Sequence, residues 1–131
     1  MNITEELKKK VWGQGRVVDG YDPEKVRMDA CNAFMIYDDF DKQSIYGWQI
    51  DHVCPKSLLK DLGYAEDKID DIINLRPMQW QNNLSKSDDY PSYTSVVTSD
   101  GEKNIEHEES KIVNAVRQQK IQSLYPKLKK N

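Results

Sequence analysis

With 131 residues, 31% of them charged and 37% apolar, three tryptophans and seven tyrosines, the chain is the size of one domain and too aromatic for general disorder. Its formal net charge of −3 counts against a protein that coats nucleic acid by bulk charge. No apolar run approaches the ~18 residues that a bilayer span requires, and MNITEELKKK lacks the apolar core of a signal peptide, so the expectation is a cytoplasmic protein with no membrane segment.

In chain order, residues 3 to 11 place acid early and base late around Ile3, Leu7 and Val11, the pattern of a first helix. WGQGRVVDGYDP reads as loop, brief strand at Val17 and Val18, and turn. PEKVRMDA predicts one or two helical turns from Pro23, and NAFMIYDDF a strand closed by the polar turn DKQS. YGWQIDHV, aromatic and β-branched up to Pro55, predicts a strand from about Tyr46 to Val53. A polar connection with a helical turn at LLKDL leads to a second short strand, IINLRPM, ending near Pro77. QWQNNLSKSDD follows as a helix broken by Pro91.

Beyond it, β-branched residues on both sides of Ser99, Asp100 and Gly101 predict a hairpin. A helix is expected over 108 to 124, with Val113, Val116, Ile121 and Leu124 on its apolar stripe and Lys111, Arg117, Gln118 and Lys120 mostly away from it. The tail KLKKN reads as a charged end. The expected class is α+β, one domain over 1–131 with a core of Trp48, Trp80, Leu75 and the terminal helix.

Chemistry concentrates in the middle of the chain. Asp51 and His52 end the first central strand, Asn74 lies at the second, and Asn83 and Lys86 fall on the helix after it. A strand pair packed on a helix brings Asp51 and Asn83 towards one point, where two oxygen donors suit a hard cation such as magnesium. His52, the next residue along the strand, faces the other side of the cleft, where a general base belongs. Two histidines and two cysteines in the whole chain, with neither Cys31 nor Cys54 in a CxxC pair, leave no structural zinc site to expect. Both thiols read as buried apolar groups.

IDHVCPKS followed by IINLRPMQWQNNLSK resembles the HNH endonuclease core, the ββα-metal motif, in its variant with asparagine as third signature residue. The nine-residue step from Asn74 to Asn83 and the LSKSDD after it are similar to the HNH domain of the CRISPR effector nucleases. The flanking WGQGRVVDGYDPEKVRMDAC and YGW look like small stand-alone bacterial HNH proteins. The likeness in core motifs covers about 46–91.

The resemblance implies a metal-dependent DNA endonuclease with a ββα core among extra helices and a β-hairpin. His52 would be the general base, Asp51 and Asn83 the ligands of one divalent cation, and Asn74 a structural tie that orients His52. Mg2+ is the expected ion, with Mn2+ or Ni2+ as alternatives, because asparagine replaces the family's last histidine. Lys86 joins the catalytic group, and Lys56, Arg76 and Lys86 are candidate phosphate contacts on double-stranded DNA.

Blander readings apply elsewhere. Asn82 is the alternative ligand to Asn83, which the step to Lys86 favours. His107 in its acidic run and the acids of DDFD (Asp38 to Asp41) read as solvated, Arg27 as a surface ion pair, and Trp48 and Trp80 as core, with Trp12 open between core and base stacking. The alternative functions are a nuclease toxin held by an acidic immunity protein, and a non-catalytic binding module for DNA or protein.

Overall fold

The computed structural model describes residues 1–128, and within them the chain is α+β, with five α-helices and three small antiparallel sheets. Of the expected charged end at 127–131, residues 129–131 lie outside the described residues. No described helix is long and apolar enough to cross a membrane.

Helix α1 (Glu5–Trp12) is capped by Thr4, whose hydroxyl accepts the Leu7 N–H at 3.1 Å. Glu5 and Glu6 stand at its positive end and Lys9 and Lys10 at its negative end, and both placements favour the helix dipole. Its last residues, Val11 and Trp12, are buried.

Strands β1 (Arg16–Val17), β2 (Val26–Met28) and β3 (Phe34–Ile36) form a sheet in that order. The helical turns expected from Pro23 are therefore replaced by a strand. A single turn survives, in which the Asp22 carbonyl accepts from Lys25 and Val26 N–H. After it Arg27 and Met28 pair with both neighbouring strands and Val26 with β3 alone, and cross-strand pairing overrides a weak local helical preference. The strand expected in NAFMIYDDF is correspondingly short, giving way to a 3-10 turn at Tyr37–Asp39.

The central unit is strand, two short helices, strand, helix. Strand β4 (Trp48–His52) is followed by α2 (Lys56–Asp61), which realises the turn expected at LLKDL, and by α3 (Glu66–Ile69), which was not expected. After a 3-10 turn at Ile72–Asn74, β5 (Leu75–Gln79) returns antiparallel to β4 with Asp51 opposite Arg76 and His52 opposite Leu75. Pro77 does not end this strand. The bonds Val53 N–H to Asn74 O and Trp80 N–H to Gly47 O bracket the ladder, and alternation inward puts the Ile50–Pro77 pair at a non-hydrogen-bonded position, where a missing donor costs nothing. Helix α4 (Trp80–Lys86) follows at once, its first turn closed by the Gln79 side chain accepting the Asn82 N–H at 3.0 Å.

The hairpin forms as expected from β6 (Ser92–Ser99) and β7 (Asn104–Ile112). Asp100 Oδ1 accepts from Glu102 and Lys103 N–H, and Gly101 holds a φ of 99° that glycine adopts without strain. The helix expected over 108–124 is α5 (Ala115–Leu124). Residues Glu108 to Ile112 belong instead to β7, because Ser92 to Ser95 of β6 pair with Glu109 to Ile112 and a bulge follows at Glu108, and Asn114 then caps the helix by accepting the Arg117 N–H at 2.8 Å. Of the expected stripe Val113 and Ile121 are buried, whereas Val116 is 63% exposed.

Two apolar clusters flank the β4–β5 pair. One gathers Val11, Trp12, Met35, Trp48 and Leu75; the other gathers Cys31, Val53, Cys54, Leu59, Ile69, Met78, Tyr93, Val113, Ile121 and Tyr125. Trp12 is thus core, its indole N–H donated to the Pro23 carbonyl and its ring 5.0 Å from that of Trp48. Trp48 also meets Phe40 at 4.8 Å and Tyr37 at 5.9 Å, and each such aromatic pair adds about 0.5–1.5 kcal/mol beyond area burial. Trp80 is only half-buried, held by its N–H to the Ser44 carbonyl at 2.7 Å.

Candidate active site

Alternation along β4 separates Asp51 from His52. Asp51 points towards α4 and His52 towards the end of α3. The Asp51 carboxylate is 3% exposed. Its Oδ2 accepts from Arg76 Nε at 2.9 Å, and its Oδ1 lies 3.3 Å from Lys86 Nζ. Lys86 has no exposed surface and also donates to the His52 carbonyl at 3.1 Å. Burial pushes the Lys86 ammonium below its ordinary value, against the pull of Asp51. Burial also opposes the Arg76 charge, but Asp51 together with Tyr93 holds the guanidinium above its ordinary value. Arg76 Nη2 is a buried donor without a partner among the described residues, and the guanidinium lies 5.4 Å from the centre of the Tyr93 ring.

His52 Nε2 meets Asp70 Oδ1 at 2.7 Å, with the two side chains 18% and 17% exposed. Asn74, fully buried, ties the loop after β4: its Oδ1 accepts from Cys54 N–H at 2.8 Å, and its Nδ2 donates to the Cys54 and Ile69 carbonyls, each at 3.1 Å. It reaches His52 through the backbone, its carbonyl accepting the Val53 N–H at 2.9 Å.

Asn83 lies half-buried on the same side as Asp51 and donates Nδ2 to Gln49 Oε1 at 3.0 Å, Gln49 being two residues before Asp51 on β4. Asn82, the alternative ligand, is fully committed elsewhere. Its Oδ1 accepts from Val96 and Val97 N–H, and its Nδ2 donates to the Val97 carbonyl and to Asp29. It pins α4 to β6.

His52, Asn74, Lys86 and Asp51 therefore gather around the end of β4, whereas Asn83 bonds Gln49 nearer the start of that strand and makes no contact with Asp51 among the described residues. The candidate phosphate contacts do not share one surface. Arg76, 6% exposed, and Lys86 belong to the buried ion triad with Asp51, and either would have to leave it to meet a phosphate. Lys56 is at the surface in an ion pair with Glu66 at 3.2 Å. Arg27 makes no ion pair among the described residues and donates instead to the carbonyls of Gly13, Gly15 and Pro23. His107 is exposed. In DDFD, Asp39 accepts from the Ser44 hydroxyl and Asp41 from Gln49 Nε2.

Asp70 and Asp29 went unread in the sequence. Asp70 sits in a solvated-looking DDIIN run, and only the fold carries it to His52. Asp29 is buried, with Oδ1 accepting from Cys31 and Ala33 N–H and Oδ2 from Gln79 N–H and Asn82 Nδ2. Burial pushes its carboxyl up against these four donors. A polar residue in a run that looks like a turn gives no advance sign of such a hub.

Among the described residues, no group of three or more His, Cys, Asp or Glu side chains could hold a metal. Asp51 and Asn83 fit a hard divalent cation in kind, as carboxylate and carboxamide oxygen donors. The oxygens of Asp51 and of the His52 carbonyl already cradle one cation, the Lys86 ammonium. With both Asp51 oxygens engaged, a divalent ion there would take the place of that ammonium rather than join it.

Compared with protein-family models, curated proteins and solved structures, the chain matches none of them.

Proposed function

We propose that the chain is an HNH-type endonuclease that hydrolyses a DNA phosphodiester, leaving a 5′ phosphate and a 3′ hydroxyl, with β4, β5 and α4 as its ββα-metal core. The observation that carries this reading is the pairing of His52 with Asp70 at 2.7 Å, next to the Asn74 tie and on the opposite side of β4 from Asp51. An imidazole held in place by a carboxylate is the kind of group that serves as a positioned general base.

In this reading His52 removes the proton of the attacking water as oxygen bonds to phosphorus and the bond from phosphorus to the 3′ oxygen breaks, the departing 3′ oxygen taking up a proton from solvent water. A positioned base of this kind contributes about 10²–10⁴-fold. Asn74 keeps the chain after His52 in place through its three side-chain bonds. A divalent cation held by Asp51 and Asn83, Mg2+ first with Mn2+ or Ni2+ as alternatives, would offset charge developing on the phosphate oxygens. Lys86 holds the same carboxylate when no metal is there, and Lys56 is the candidate that stands at the surface to meet a duplex backbone.

One observation favours a second reading. A carboxylate already neutralised by Arg76 and Lys86 is also what a non-catalytic module on this scaffold would keep for stability. Incubating the protein with supercoiled plasmid in Mg2+, Mn2+ or chelator separates the two. Metal-dependent nicking with ligatable 5′-phosphate ends supports the nuclease. Binding without conversion in any metal, by protein shown to be folded, supports the module.

A further inference from the structure

The contact between His52 and Asp70 has a chemical consequence of its own. An ionised carboxylate only accepts hydrogen bonds. Facing Asp70 Oδ1 at 2.7 Å, Nε2 of the neutral imidazole must carry the ring proton, and Nδ1 is left with the lone pair. No hydrogen bond reaches Nδ1 among the described residues.

Asp70 is itself held firmly. It caps α3, its N–H donated to the Glu66 carbonyl at 2.8 Å. The carbonyl of the preceding Ile69 is gripped from two sides, by Asn74 Nδ2 at 3.1 Å and by the Tyr125 hydroxyl at 3.2 Å. The Tyr125 hydroxyl also donates to the Lys68 carbonyl at 2.7 Å, and Ile69 is buried in the larger apolar cluster. Three separate parts of the chain thus fix where this carboxylate stands: the loop tie, the terminal segment and α3. The side chain it serves is anchored on β4.

We propose that Asp70 is a positioning residue that fixes the ring orientation and tautomer of His52, so that Nδ1 is the nitrogen presented to the attacking water. The base role of that nitrogen rests on the nuclease reading; the fixed tautomer does not.

The test uses the full chain labelled with 15N-histidine. With two histidines in the sequence, a His107→Ala variant assigns both rings. At a pH where the rings are neutral, long-range proton–nitrogen correlation should show His52 as a single tautomer with Nε2 protonated, while exposed His107 shows an average. In Asp70→Ala, checked for folding by its melting curve, His52 should move to an averaged signature. Asp70→Asn keeps the size and removes the charge; its carboxamide can turn either oxygen or NH2 to Nε2, so the single tautomer should be lost there too. A wild-type His52 protonated at Nδ1, or an unchanged His52 signature in both variants, would overturn the proposal.

On DNA, kcat should fall in Asp70→Ala by no more than the roughly 10²–10⁴-fold a general base contributes, with KM unchanged. Full activity in Asp70→Ala beside an inactive His52→Ala would overturn the positioning role. A wild-type protein that cleaves no DNA but shows the fixed tautomer would remove the nuclease reading alone.

Discussion

Replacing Asp51 with alanine removes the one anion between two buried cations. In the folded protein the Arg76 side chain is 8% exposed, that of Lys86 not at all, and that of Asp51 4%, so water cannot take over the lost pairing. Breaking a buried pair by removing one partner costs about 3–5 kcal/mol, a fifth or more of the ~5–15 kcal/mol that holds a domain of this kind together. Arg76 keeps the Tyr93 ring, whereas Lys86 keeps only the His52 carbonyl. Removing both members, in Asp51→Asn with Lys86→Met, should therefore recover part of the loss.

The sign of the pH dependence follows from the lowered Lys86 value. Without Asp51 the folded state gives up the Lys86 proton still more readily, while the unfolded chain holds it up to the ordinary value of 10.5. The unfolded state binds more protons, so the stability of Asp51→Ala should rise with pH from Lys86's lowered folded value towards about 10.5. Urea unfolding followed by tryptophan fluorescence reads both effects. A loss below about 1 kcal/mol, the size of an exposed ion pair, or a stability that falls as pH rises over that range, would refute the reasoning.

Asn74→Ala should cost about 2–6 kcal/mol, since each buried group left unsatisfied costs roughly 1–3 kcal/mol and the Cys54 amide and carbonyl both lose their partner; the same urea titration measures it. Both thiols should resist alkylation in the folded protein at pH 8 and react fully in denaturant, because burial pushes Cys54 up to about 11 and Cys31 up to about 12 and the thiolate is the reactive form. Gly47→Ala should destabilise by at least about 1–3 kcal/mol, because a Cβ there would stand 1.8 Å from the Lys42 carbonyl oxygen and the turn into β4 would have to move; a melting curve checks it.

Much of the site could be read in the sequence because strand alternation is strict. Asp51 and His52 had to face opposite ways on a strand, and a helix directly after the return strand brings Lys86 to Asp51 and Asn83 to Gln49 on the same face of β4. The partners that settle each side chain's state were not readable, since they are tertiary. Arg76 is opposite Asp51 only through the β4–β5 register, and Lys86, expected in the catalytic group and as a phosphate contact, is enclosed. The misplaced elements have the same origin. VRM and EESKI have no strong local preference, and in each case an adjacent strand, β3 or β6, decided the outcome.

The rate of DNA cleavage by wild-type protein and by His52→Ala, measured in single turnover on a labelled duplex with Mg2+ or Mn2+, tests the central claim most directly. Metal-dependent cleavage by wild type, slower by about 10²–10⁴-fold in the variant with duplex affinity unchanged, is the result expected. Equal rates for the two proteins, or no cleavage by folded wild type in Mg2+, Mn2+ or Ni2+, would contradict it.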